Sequence, residues 1–158
     1  LLSDICRSIY ASGFKRIILL NGHGGNLAPI IAIATKISEE NIFVVPVTYW
    51  NLAPEELHEI AEDDVSIGHG GELETSLMLY LRPHLVDWER KEDEPMGARP
   101  KLFGPERRQE TRTGVSGMAS LATAEKGERL FKAVAAKLTT LVRDYHAAPV
   151  KDYWHRER

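Results

Sequence analysis

Phe14-Lys15-Arg16-Ile17-Ile18-Leu19-Leu20-Asn21-Gly22-His23-Gly24-Gly25-Asn26 is the stretch that decides the fold. Phe14 to Leu20 contains a short, continuous apolar run, the pattern of a strand buried on both faces of a parallel sheet. Three glycines within four positions then end it. After this loop Asn26 is placed to cap a helix, Pro29 is tolerated in the first turn, and Ile30, Ile33, Ala34 and Ile37 form an apolar stripe. A second strand is expected at Ile42 to Val47. Upstream, Ile5 and Ile9, with Leu1 or Leu2 a turn earlier, recur at helical spacing as far as Gly13, so residues 1 to 12 read as a helix. Helix, strand, glycine loop, helix and strand in this order define an α/β fold, with helices covering a mostly parallel sheet.

Farther along, Pro54 to Ile60 reads as a short helix and Asp63 to Gly71 as a loop. A helix from Glu72 to Leu81 follows, stopped by Pro83, with Leu73, Leu77 and Leu81 facing the core. Asp87 to Thr113 is dense in charge and carries Pro95, Pro100 and Pro105, as expected of an irregular surface excursion. Thr123 to about His146 reads as a long helix burying Leu130, Val134, Leu138 and Leu141 or Val142. The tail, Ala147 to Arg158, has an exposed or partner-covered composition. Only two strands are evident, whereas sheets average about five or six. The opening residues fit a chain that begins inside a structural element.

The composition sets the outer bounds. The 158 residues are 43% hydrophobic and 27% charged, ordinary for one folded domain. Twenty basic against 23 acidic side chains leave a net charge of -3, which gives no field to draw the chain to nucleic acid or an anionic membrane. The single Cys6 cannot form an internal disulfide, which suits a reducing, cytoplasmic setting. No apolar stretch approaches the roughly 20 residues that span a bilayer.

The loop Asn21 to Asn26 lies at the carboxyl end of a strand, where open α/β sheets place their ligands. His23 offers a nitrogen suited to zinc, manganese or iron, and Gly24, Gly25 and Asn26 let backbone approach a substrate. Other glycine signatures do not fit. A dinucleotide fingerprint would need glycine where Leu27 stands, and the lysine of a Walker loop is missing. An α/β-hydrolase elbow would need glycine where Gly114-Val115-Ser116-Gly117-Met118 has Met118.

A second stretch, Gly68-His69-Gly70-Gly71-Glu72-Leu73-Glu74-Thr75-Ser76, runs from a loop into a helix. Each helical residue advances roughly 100°, so Glu72 and Glu74 point about 200° apart and cannot share one small site. Glu72, beside the glycines and His69, is the candidate for the site, and Glu74 the candidate for a hydrogen bond to nearby backbone. His58, His84, His146 and His155 read as structural or solvated.

Together, NGHGGN after a strand, the later GHGGELETSLMLYLRP and the ATAEKGERL opening of the last helix resemble the creatininase (creatinine amidohydrolase) family over residues 1 to 146. The resemblance implies a three-layer α/β/α fold, a two-metal hydrolase site, cleavage of a cyclic amide, a formamide or a similar carbon-nitrogen bond, and commonly a homohexamer. It gives His23 and Glu72 as metal ligands and His69 as a group that transfers a proton or orients substrate. It also shows departures. Gly25 stands where the creatinine-cleaving branch has an acidic ligand, and the family's opening segment with its Glu, His and Asp ligands is missing. On the resemblance, residues 1–158 form a single domain that is roughly the carboxyl-terminal two-thirds of a longer one. The alternative is a noncatalytic α/β oligomer subunit lacking the full metal site.

Overall fold

In the computed structural model, which describes residues 1–63, 68–95 and 111–149, the first strand, β1, is Ile17–Asn21. It pairs in parallel with β2, Val44–Thr48, in a register that sets Ile17 beside Val44 and Asn21 beside Thr48. β1 starts three residues and β2 two residues later than the sequence pattern suggests, and each ends one residue later. The apolar run ends at Leu20, but the ladder does not, because Asn21 and Thr48 continue it with polar side chains. The helices α1, Leu2–Ala11, and α2, Leu27–Ser38, form where the apolar spacing placed them.

The chain divides into two compact units, Leu1–Leu52 with Ala136–Arg158, and Ala53–Ala135. In the first, Cys6 of α1, Ile17 of β1, Ile37 of α2 and Ile42 form a buried cluster, and Ile9, Leu19, Ile33 and Val44 pack against it. Ile17 and Leu19 alternate with Ile18 and Leu20, so α1 and α2 cover one face of the sheet. Leu20, on the opposite face, is 53% exposed. The expectation of a strand buried on both faces is therefore corrected, since α1 and α2 both serve the same side. Arg16 joins the end of the last helix to this unit by donating to the carbonyl oxygens of Tyr145 and Ala148.

The second unit holds α3, Pro54–Ile60, and α4, Glu72–Leu81. A two-residue antiparallel pair follows, β3, Asp93–Glu94, with β4, Gly117–Met118. Helix α5, Ala124–Ala147, begins here. Ile60, Leu73 and Leu130 make its core, with Leu57, Leu77 and Val134 packed around them. Leu81, expected in the core, is 37% exposed, because α4 ends there and the chain turns at Arg82. Val142 is likewise exposed. Helix α5 meets α4 at Gly127, where a Cβ would fall inside the backbone carbonyl of Ser76.

The described ends of the charged excursion, residues 87–95 and 111–113, make specific contacts. Asp93 and Glu94 join β3, Glu94 accepts hydrogen bonds from Arg112 and Thr113, and Arg112 pairs with Glu92. The portion from 96 to 110, residues 64–67 and the tail from 150 to 158 lie outside the described residues.

Candidate active site

β1 delivers the glycine loop to the carboxyl end of the parallel pair. Beyond Asn21 the chain stays extended at His23, with φ -145° and ψ 131°, and then makes one 3-10 turn, Gly24–Asn26, before α2. Asn21 is 3% exposed. Its Oδ1 accepts the backbone N–H of His23 at 3.1 Å, and its Nδ2 donates to the carbonyl oxygen of His23 at 2.9 Å and to Oγ1 of Thr48 at 3.2 Å. The same His23 carbonyl accepts the backbone N–H of Asn26 at 3.0 Å. Asn26 does this through its main chain; the side-chain cap expected of it is not made, because its backbone is already helical and cannot aim the side chain at the first free N–H groups.

His23, Gly24, Gly25 and Asn26 are all exposed. None of these glycines needs a left-handed backbone. Gly25 is hemmed in by a neighbour instead: a Cβ there would lie 2.9 Å from Nε2 of His23, so the imidazole, as placed, occupies the space of a residue-25 side chain. Trp50, at the end of β2, reaches within 4.0 Å of the corresponding position on Gly24 and stacks edge-on against Tyr49. The carboxyl ends of two parallel strands therefore present an imidazole, a flexible glycine turn and an indole.

In the second unit the glycines serve conformation. Gly68 and Gly70 have φ of 62° and 60°, in the left-handed region that L side chains avoid. Between them His69 makes a two-way antiparallel bridge with Ser116, at 2.8 and 2.7 Å. Ser116 is thus extended and buried, which is not the strand-to-helix turn of a nucleophilic elbow. The His69 ring is half exposed, its Nδ1 4.0 Å from Oε2 of Glu74.

The two glutamates diverge as the helical angle requires. Glu74 accepts the backbone N–H of Gly70 at 2.7 Å, the backbone role expected of it. Glu72 is 3% exposed and turns toward the end of α3. Its carboxylate accepts the backbone N–H groups of Glu62 and Asp63 and the ammonium of Lys126. Lys126 also bonds Glu62 and the carbonyl oxygen of Leu121. Burial lowers the pKa of Lys126, but hydrogen bonds and charge from Glu62 and Glu72 more than offset it and leave the ammonium above its ordinary range. Sequence reasoning gave no role to Asn21, Thr48, Glu62 or Lys126. Only the conspicuous position of Lys126 in ATAEKGERL hinted at one.

As a metal site these residues fit in part. His23 supplies one imidazole, and among the described residues no three His, Cys, Asp or Glu side chains come together to hold an ion. Structural zinc sites use four protein ligands and catalytic ones at least three.

An α/β unit with a histidine-bearing glycine loop at the carboxyl end of its parallel strands belongs to the class of proteins that bind ligands at such strand ends. The creatininase family model, described as creatinine amidohydrolase, matches residues 1–142, and the chain belongs to that family. It is similar to a creatinine amidohydrolase of Pseudomonas putida, 29% identical over 157 residues, which cover 90% of this chain and 60% of the relative. Among solved structures, a creatinine amidohydrolase (creatininase) superimposes with a TM-score of 0.76 at 28% identity, covering 94% of this chain and 62% of the other. A mutant creatininase described as Zn-Zn type gives 0.74 at 28% identity, covering 93% and 62%. The chain therefore spans about three-fifths of the length of these relatives.

Proposed function

We propose that the whole protein is a metal-dependent amidohydrolase that hydrolyses a cyclic amide, a formamide or a similar carbon-nitrogen bond. The observation that carries this reading is His23, held extended at the end of β1 in a chain of the creatininase family. In it His23 is a metal ligand, Gly24, Gly25 and Asn26 line the substrate, and His69 moves the proton to the leaving nitrogen. Glu72 remains in the proposal as a ligand from the resemblance, although its hydrogen bonds favour a supporting role. A divalent metal of the kind in the Zn-Zn creatininase would supply Lewis acidity and a water of lowered pKa; zinc, manganese and iron all suit an imidazole ligand. We also place the protein in the cytoplasm as a homo-oligomer, up to a hexamer. Among the described residues no helix is long and apolar enough to cross a membrane.

A second reading, a noncatalytic α/β subunit, has one observation in its favour: the engagement of Glu72 by Lys126 and two backbone N–H groups leaves His23 as the loop's own ligand. One experiment separates the two. The whole protein is analysed for metal and incubated with a panel of cyclic amides and N-formyl compounds, and products are scored by the gain of one water. Chelator-sensitive hydrolysis restored by zinc, manganese or iron, and lost in His23→Ala, supports the enzyme. Absence of metal and of turnover supports the subunit.

A further inference from the structure

We propose that Asn21 is a positioning residue for His23, its buried carboxamide fixing the direction in which the loop presents the imidazole. This rests on the reading of His23 as the ligand of the site. A carboxamide has two donor hydrogens and one acceptor oxygen. In Asn21 both donors are used, one on the carbonyl oxygen of His23 and one on Thr48, while the oxygen takes the N–H of the same His23. One side chain therefore holds both backbone polar groups of a residue two places ahead.

The need for such a device follows from where the ladder stops. The last register pair is Asn21 beside Thr48, and His23 lies beyond it. Backbone past the end of a ladder is no longer fixed by strand pairing, yet a ligand must be held within a fraction of an ångström. Asn21 extends the ladder's constraint by two residues, and Thr48 anchors the carboxamide to the neighbouring strand. The N–H of Asn26 closes the other side of the His23 carbonyl. Burial removes competing water, so the three bonds keep their geometry. A leucine would fill the same volume without any of these bonds, and an aspartate would keep the acceptor for the His23 N–H but lose both donors.

The test uses the whole protein with Asn21→Leu, Asn21→Asp, Thr48→Val, Ile37→Val and His23→Ala. Zinc affinity by titration calorimetry, amide exchange and ring resonances of His23 by NMR, and melting temperature are read in parallel. Asn21→Leu should weaken zinc binding by roughly 10–100-fold, the usual effect of removing a group that orients a ligand, and speed exchange of the His23 amide. Asn21→Asp should keep that amide slow while shifting the ring resonances and weakening zinc to a lesser degree. Thr48→Val removes the carboxamide's anchor and should weaken zinc binding less than Asn21→Leu does. Ile37→Val, a core change that touches none of the three bonds, should lower the melting temperature and leave zinc affinity at the wild-type level, which separates positioning from stability alone. If Asn21→Leu does not fold, Asn21→Asp carries the comparison. Wild-type zinc affinity with unaltered His23 exchange and resonances in the Asn21 variants would overturn the proposal. If His23→Ala keeps its zinc, the ligand reading fails instead, and the positioning claim is then judged on the His23 exchange and resonances, where no change overturns it.

Discussion

Lys126 Nζ lies 2.5 Å from Oε1 of Glu72, a carboxylate 54 residues earlier in the chain and 3% exposed. The pair joins the start of α5 to the start of α4. Through Glu72 it also holds the two backbone N–H groups just after α3. A buried pair of this kind adds little over an apolar pair, but breaking it is costly because one charge is stranded.

Lys126→Met is therefore expected to destabilise the fold by about 3–5 kcal/mol, the usual cost of an unpaired buried charge. Replacing Glu72 by Gln as well, which removes the stranded charge but keeps an acceptor for the Glu62 and Asp63 N–H groups, should recover a substantial part of that loss. Urea denaturation of the single and double variants checks it, and additive losses would show that the pair is not coupled.

The same pair makes stability depend on alkaline pH. The folded-state pKa of Lys126 is raised above its ordinary 10.5, so its contribution is complete below that value and is lost as pH rises through the folded pKa. The stability gap between wild type and Lys126→Met should be constant through neutral pH and narrow above about 10.5. Thermal melts across that range measure it.

Acid has the opposite sign at Glu40. A hydrogen bond from Arg7, with its charge, holds this carboxyl below its ordinary 4.5, so its contribution is present above that value and fades as pH falls. Glu40→Gln should lower the melting temperature slightly at neutral pH, because the pair is exposed, and the difference should vanish in acid.

Gly127→Ala is expected to be among the most damaging single substitutions. The added methyl would meet the backbone carbonyl of Ser76, which cannot rotate away, so α4 and α5 must separate. Overpacking of this kind costs typically about 1–3 kcal/mol and more where backbone must move. A loss below the lower figure in urea denaturation would show that the helices slide apart freely.

Gly25→Ala meets a softer neighbour, the tip of the His23 ring. Its cost in stability should be below about 1 kcal/mol, because a side chain can change rotamer. The His23 ring resonances should shift markedly, and zinc binding should weaken with them. Unchanged resonances would mean that the ring never occupied that space.

The sequence by itself determined the α/β class, the order of the helices and β1 and β2, and the place of the glycine loop. Each depends on local signals: apolar spacing along α1, α2, α4 and α5, a short apolar run before the loop, and Gly13, whose positive φ stops α1. The opposite directions of Glu72 and Glu74 were also legible, since they follow from helical geometry alone. What Glu72 faces was not. Lys126 reaches Glu72, and Ser116 bridges His69, only because the chain returns across long separations that no local pattern encodes. β3 and β4 were missed for the same reason, since two-residue strands carry no periodicity and exist only as a pair. In sequence Asn21 reads as part of a loop, and the structure makes it the last rung of a ladder whose partner is Thr48. Tertiary structure decided these matters because a polar side chain takes its role from the donors and acceptors that burial leaves within reach.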